Sequence, residues 1–204
     1  MSLLEQSRAD ELIGHHYSQI HDFIKGAFAE YRSEYPEAQR LKHHSRTRAN
    51  IISDLIIDGA ARYFAHVDGV FFHEISGMRI FVLPGDIALR FKKLDEEFLP
   101  RNQMTNQVIN FRNQLPLPGI PTISNLEAGY VLAADCQDVK MVSLVCPSGL
   151  KSNYWARELQ QDAVISRVSG LFESTEQSDE VAGLKPKTGL KIDENKTHDR
   201  KTPK

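Results

Sequence analysis

The chain has 204 residues, 41% of them hydrophobic and 25% charged, with a formal net charge of -2 at pH 7. This length suits one ordinary domain with additional segments, and the composition is typical of a soluble globular protein. The small net charge argues against a protein that coats nucleic acid with its whole surface, and no apolar run reaches the roughly 18 residues of a membrane helix.

The first predicted element is an N-terminal helical segment over residues 1–40. Apolar residues recur at steps of three and four between Ser7 and Tyr35, which is typical of an amphipathic helix. Pro36 is expected to end this helix, because the residue before a proline avoids helical dihedrals. The helix carries three histidines, but no pair of them has the i, i+4 spacing of a helical metal site, so we predict no metal ligands there.

A basic segment, Arg40–Arg48, opens the core domain, which we expect over residues 41–160. The segment holds four arginines and lysines and two histidines, without an acid. Cations in the first turn of a helix oppose the helix dipole, a cost that a nearby anion would offset. Arg46 and Arg48 are therefore candidate ligands for a phosphate or an acidic partner. A solvated basic linker is the alternative interpretation.

A second helix is predicted over residues 45–65, with Ser45 or Thr47 as its N-cap. Asp54 and Asp58 lie one turn apart on it and would present two carboxylates on one side, although exposed helix acids are the plainer interpretation. Its buried stripe is predicted to hold six apolar residues: Ile51, Ile52, Leu55, Ile56, Ala60 and Phe64.

The rest of the core domain is predicted to be mainly an antiparallel sheet of about five strands. Three runs joined by short turns indicate a meander, and a hairpin follows a short helix over Thr105–Gln114. The predicted strands are Val70–Ile75, Met78–Leu83, Ile87–Leu94, Leu126–Ala133 and Lys140–Cys146. Two or three helices packed against this sheet give an α+β fold. Residues 161–204 are predicted to be a short helix followed by a disordered polar tail.

The two cysteines, Cys136 and Cys146, are too few for a disulfide framework or a four-cysteine zinc site. A bridge between them across the second hairpin is an open alternative. The first residues lack the basic start and apolar middle of a signal peptide. We therefore expect a reduced, cytoplasmic protein that does not engage a membrane.

The third predicted strand is the most informative one for function. Ile87, Leu89 and Phe91 alternate with Arg90 and Lys92, which fall on the other face at a spacing of two. Such a cationic row over a packed core is expected to face water or an anion. The residues considered for a catalytic role are Arg90, Lys92, Asp95 and Asp54.

The helix and meander also suit the core of many metal-dependent nucleases, which requires an acid two residues before a lysine on the third strand. Arg90 precedes Lys92, and Phe91 precedes Lys93, at that spacing. Without this carboxylate a Mg²⁺ ion loses a ligand. A nuclease is therefore the less favoured interpretation, and we predict neither a metal nor another cofactor.

Several short motifs resemble a family of small bacterial proteins: Arg90-Phe-Lys-Lys-Leu-Asp95, Asn102, Thr105, Gln107, Leu117-Pro-Gly-Ile-Pro121, Gly129-Tyr130 and Cys146-Pro147. The resemblance covers about residues 46–155. Members are encoded beside a regulator that joins a helix-turn-helix to a metallopeptidase-like (ImmA/IrrE) domain. Such pairs resemble toxin–antitoxin or phage-defence modules. The resemblance thus implies a toxin-like effector, with the regulator as its antitoxin-like partner.

Two functional hypotheses follow. In the first, the effector acts on or binds nucleic acid or a nucleotide, with Arg90, Lys92 and Asp95 close to the start of the short helix in a polar pocket. In the second, the chain is a non-catalytic module that holds a partner protein through the segment Arg40–Arg48 and the sheet face. The candidate binding residues are Arg46, Arg48, Arg90, Lys92, Lys93, Asn102, Thr105 and Gln107. Pairing of Arg90 and Lys92 with nearby acids is the structural alternative to a pocket.

Overall fold

The structure is a computed structural model, and it describes residues 3–75, 77–100, 105–120, 124–134 and 138–161. Asn102, Cys136 and the predicted C-terminal helix and tail lie outside these residues, as does any bridge that would involve Cys136. Among the helices in the described ranges, none has both the length and the hydropathy needed to cross a bilayer.

The described residues form helices that precede and interrupt a single sheet. The α-helices are α1 (Gln6–Ile13), α2 (Tyr17–Glu34), α3 (Glu37–Arg40), α4 (Ser45–Phe64) and α5 (Asn106–Arg112), with a 3-10 turn at Gly14–His16. The strands are β1 (Phe71–Ile75), β2 (Met78–Leu83), β3 (Ile87–Lys93), β4 (Ser124–Leu132), β5 (Val139–Gly149) and β6 (Ser152–Leu159).

The helical predictions are largely confirmed, with two corrections. The N-terminal helix is not continuous, because the 3-10 turn that begins at Gly14 separates α1 from α2. The end before Pro36 is confirmed. The second helix begins at Ser45 as predicted, but its N-cap is His44, whose Nδ1 accepts a hydrogen bond from the backbone N–H of Arg46 at 3.4 Å. An imidazole nitrogen here replaces the predicted hydroxyl.

The α+β architecture is confirmed, and the sheet is mixed, with the strand order β1-β2-β3-β4-β5-β6. The predicted meander is present as β1, β2 and β3. A sixth strand, β6, extends the sheet beyond the predicted five. The strands β3 and β4 are parallel rather than antiparallel, because the chain between them crosses over the sheet through α5, and parallel neighbours require a crossover of this kind.

Because of this crossover, helices cover both faces of the sheet. Leu89 and Phe91 share the larger core with residues of α2 and α4. On the opposite face, Ala88 packs with Val108 and Phe111 of α5 in a smaller core. Since side chains alternate along a strand, Arg90 lies on the α5 side, inside the protein rather than over water.

Candidate anion-binding pocket

A pocket opens where β2 and β3 stop pairing with each other. Their ladder ends at Phe81↔Leu89, three residues after β2 begins and four residues before β3 ends. The cavity measures about 190 Å³ between these strand ends, with α4 and the start of α5 completing its wall. Secondary structure therefore surrounds the site on several sides.

The polar residues in the wall of this pocket are Ser53, Arg79, Arg90, Lys92, Thr105 and Gln107. Three of these six side chains are cations, and no acid is among the described residues that line the cavity. Such a lining gives the cavity a positive potential, which a surrounding low-dielectric wall strengthens. The pocket is therefore suited to an anion.

The guanidinium group of Arg90 is fixed by the buried carboxylate of Glu127. Arg90 and Glu127 are register partners on the parallel strands β3 and β4. The Nε of Arg90 donates to Glu127 Oε1 at 2.8 Å, and its Nη2 donates to the same oxygen. Arg112 of α5 donates from Nη1 to the other oxygen, Oε2. All three residues are at most 1% exposed, so a buried cluster holds two cations and one anion.

The two arginines of this cluster differ in how far their donors are satisfied. Arg112 also donates to the carbonyl oxygens of Gly149 and Ser152 and to Asn153 Oδ1, at 2.9–3.1 Å. In contrast, Nη1 of Arg90 is buried and has no hydrogen-bond partner among the described residues. Burial lowers the pKa of Arg90, yet a guanidinium is basic enough to keep its charge. Arg90 thus belongs to the wall of the pocket and also has a buried charged donor that no described residue satisfies.

The guanidinium of Arg90 also lies against an aromatic ring, with Cζ 4.3 Å from the ring centroid of Phe111. A cation over an aromatic face is stabilised by the ring quadrupole. The ring thereby helps to fix the guanidinium plane, so Arg90 is preorganised before any ligand enters.

Lys92 follows Arg90 on the same face of β3 and is half-buried. Burial, and to a smaller extent the nearby charge of Arg90, lower the pKa of Lys92 to about 8. None of the ion pairs in the described part of the chain includes Lys92. An anion in the pocket would favour the protonated amine and raise this pKa.

Arg79 supplies the third cation and is tethered to α4. It forms an ion pair with Asp54 at 2.8 Å and donates to Ser53 Oγ at 3.1 Å. The Asp54 side chain is 67% exposed, and Asp54 is not among the residues that line the cavity. Asp54 therefore orients Arg79 and does not offer a carboxylate to the pocket.

Four of the predicted binding residues meet in this pocket: Arg90, Lys92, Thr105 and Gln107. Thr105 is also the N-cap of α5, because its hydroxyl accepts from the backbone N–H of Val108 at 3.3 Å.

Four other candidates lie outside the pocket. Asp95 accepts from the backbone N–H groups of Glu97 and Leu99 at 2.9–3.0 Å, so its carboxylate stabilises a turn. Lys93 is exposed at the end of β3, and strand alternation places it on the opposite face from Lys92. The last two, Arg46 and Arg48, lie in the first turn of α4.

Of the two predicted surroundings of the cationic row, water or an anion, water is wrong for Arg90, which is 1% exposed. Its covering layer is α5, which the alternation of the strand does not reveal. The alternative that Arg90 pairs with an acid across the sheet is correct in kind, but the partner is Glu127 of the neighbouring parallel strand and not Glu74, Asp95 or Glu96.

The sequence interpretation missed four residues that shape the site: Ser53, Arg79, Arg112 and Glu127. One signal was available for Glu127. It is the single acid in the otherwise apolar run Leu126–Ala133, and a charge in a buried strand is almost always paired. Arg90 gives the same signal in its own strand.

The fold and the pocket define an α+β protein with a cationic site in a partly open cavity. Within the described ranges, no group of three His, Cys, Asp or Glu side chains is placed to hold a metal ion. Comparison of the chain with protein-family models, with curated proteins and with solved structures gives no match. The resemblance to the bacterial effector family therefore stays a prediction.

Proposed function

We propose that this chain binds a phosphate-bearing ligand, a nucleotide or a nucleic acid, in the pocket between β2 and β3. The observation that carries the proposal is the lining of the cavity, in which Arg79, Arg90 and Lys92 converge without an acid among the described lining residues. We further propose that this binding serves a toxin-like effector of a bacterial toxin–antitoxin or phage-defence pair.

The kind of anion follows from the donors. Glu127, Asp54 and Ser53 already accept from several N–H groups of the two arginines, but three cationic side chains still meet at one pocket. A phosphate, which presents three or four oxygens in different directions, can contact all three more readily than a single carboxylate can. Thr105 and Gln107 add a hydroxyl and an amide at the same pocket, and such neutral groups suit a ribose or a base edge. The donor set therefore supports a nucleotide phosphate over a simple carboxylate.

Binding is better supported than catalysis. No carboxylate or imidazole belongs to the described lining of the cavity, so the usual general bases are missing from that part of the site. Lys92, with its pKa of about 8, is the lining residue whose proton could move near neutral pH.

The binding proposal is tested with Lys92→Met, which removes the charge and keeps much of the aliphatic side chain. Isothermal titration with inorganic phosphate, AMP and a short oligonucleotide is expected to show affinity about 10-fold to 100-fold weaker for the variant, because a charged hydrogen bond contributes about 1.5–3 kcal/mol. Lys93→Met is the matched control, since Lys93 is exposed outside the pocket. Equal losses in both variants, or no binding of any probe to the unmodified protein, would contradict the proposal.

The effector role is tested separately, by induced expression in several bacterial hosts with and without the neighbouring regulator. We expect the unmodified protein to slow growth, Lys92→Met to lose the effect without a change in melting temperature, and the regulator to relieve it. Normal growth in every host would refute the effector role and leave the binding proposal standing.

A second candidate function is a non-catalytic module that holds a partner protein. The observation that favours it is exposed apolar surface outside the pocket: Leu41, inside the basic segment, is 71% exposed, and Phe71, on the edge strand β1, is 62% exposed. Pull-down of the regulator would support this function if Leu41→Ser weakens capture and Lys92→Met does not. Capture that depends on Lys92 would count against it.

A further inference from the structure

We infer that the ligand is a single-stranded nucleic acid whose terminal phosphate enters the pocket and whose backbone leaves along α4. This inference rests on the proposed phosphate binding and names its substrate class. It follows from the size of the cavity, from Arg90 in its wall, whose Nη1 has no partner among the described residues, and from the residues that continue along the helix.

The cavity is sized for one phosphate group. Its volume of about 190 Å³ is below the roughly 300–1,000 Å³ of pockets that enclose a whole small-molecule ligand. The wall is built by the diverging ends of β2 and β3, by α4 and by the start of α5. A phosphate inside a strand carries a nucleotide on both sides, whereas a terminal phosphate has one side free to enter such a recess.

Among the residues of this pocket, Arg90 is the one expected to favour a terminal phosphate over an internal phosphodiester. It is 1% exposed, and its Nη1 has no partner among the described residues. Its other donors are held by Glu127, which fixes the guanidinium. A terminal phosphomonoester carries more charge and more free oxygens than a phosphodiester, so it benefits more from the clustered charges of Arg90, Arg79 and Lys92.

The surface of α4 continues from the pocket toward further donors. Ser53 and Ile57 line the cavity, and Asn50 and Arg46 precede them at steps of three and four, which places all four residues on one face of the helix. Arg46 and Asn50 are exposed. Ser53 lies seven positions after Arg46, a rise of about 10 Å along the helix.

This distance corresponds to about three nucleotides of a stacked strand, at about 3.4 Å per nucleotide. A strand whose end lies in the pocket therefore reaches Arg46 with its second to fourth phosphate. A mononucleotide in the same pocket does not reach that far, which separates the two ligand classes in an experiment.

The test measures fluorescence anisotropy of one labelled hexanucleotide in three forms, with a 5′-phosphate, with a 3′-phosphate and without a terminal phosphate, beside AMP as a competitor. We expect one of the phosphorylated forms to bind at least about 10-fold more tightly than the form without a terminal phosphate. Arg46→Gln is expected to weaken that form about fivefold, as for an exposed ion pair. It should also lower the salt slope by about 0.7 and leave AMP binding unchanged.

Arg32→Gln, an exposed arginine of α2, is the matched control and should change none of these values. Equal binding of all three oligonucleotides, or no effect of Arg46→Gln, overturns the inference, while AMP binding that depends on Lys92 keeps the proposed function intact. If no phosphate-bearing probe binds, both fail. Tighter binding of a duplex with the same ends would also overturn the single-strand assignment.

Discussion

Glu127→Gln is the substitution that most directly tests the buried cluster behind the pocket. Glutamine keeps the shape of the side chain and removes its charge, so Arg90 and Arg112 stay buried without a counter-charge. Removing one partner of a buried ion pair costs about 3–5 kcal/mol, because the remaining charge is uncompensated. These side chains are between 0% and 2% exposed, so solvent screening should not reduce this cost.

This loss should be visible as a shift of about 6–20 °C in melting temperature, since 1 kcal/mol corresponds to about 2–4 °C for domains of this size. Urea unfolding followed by circular dichroism gives the free energy of unfolding directly. The control is Asp58→Asn, which breaks the ion pair with Arg62 on the surface, where the side chains are 59% and 67% exposed. The control is expected to change stability by less than about 1 kcal/mol.

Arg90→Met provides the discriminating comparison. It leaves Glu127 paired with Arg112 and reduces the net charge of the cluster from +1 to zero. We therefore expect Arg90→Met to cost clearly less than Glu127→Gln, below about 3 kcal/mol, while it abolishes phosphate binding. A Glu127→Gln variant within 1 kcal/mol of the unmodified protein, or an Arg90→Met variant equally unstable, would refute the view that the cluster carries an excess cation.

Two further predictions concern stability alone. Burial lowers the pKa of His16 from 6.5 to about 4, so the unfolded chain binds more protons between these values, and stability should fall by about 2–3 kcal/mol from pH 7 to pH 4. His16→Gln should flatten that dependence and His66→Gln, at an exposed site, should not; equal pH profiles would contradict the assignment. Gly129→Ala should cost more than about 2 kcal/mol, because a Cβ would lie 2.5 Å from the carbonyl oxygen of Lys92. Gly26→Ala in α2, where a Cβ would meet open space, should stabilise the protein by up to about 1 kcal/mol. The midpoints of urea unfolding test both glycine variants.

Local patterns predicted the elements well, because each depends on near neighbours in the chain. The strand β2 was predicted with its observed bounds, Met78–Leu83, and α4 was predicted within one residue. Hydrophobic periodicity records which side of an element is buried, and short turns between strands force antiparallel pairing. These two rules account for the meander and the helical layer.

The parallel contact between β3 and β4 could not be predicted in the same way. It depends on where the chain of about thirty residues between them returns to the sheet, and that path is set by the packing of α5. The same packing decides the environment of Arg90. An alternating strand looks identical in sequence whether its polar face meets water or a second layer of structure, so the pattern could not distinguish an open cationic surface from a buried arginine.

The composition of the buried cluster supports the proposal that Arg90 binds a ligand. A pair of Glu127 and Arg112 would be electrically neutral, and Arg112 already satisfies its donors on two carbonyls and on Asn153. Adding Arg90 brings a second cation out of water and leaves its Nη1 without a partner among the described residues, which costs stability rather than adding it. A hydrophobic residue would fill the same space against Phe111 at lower cost. The excess charge therefore supports the proposal that an anion enters the pocket and completes the cluster.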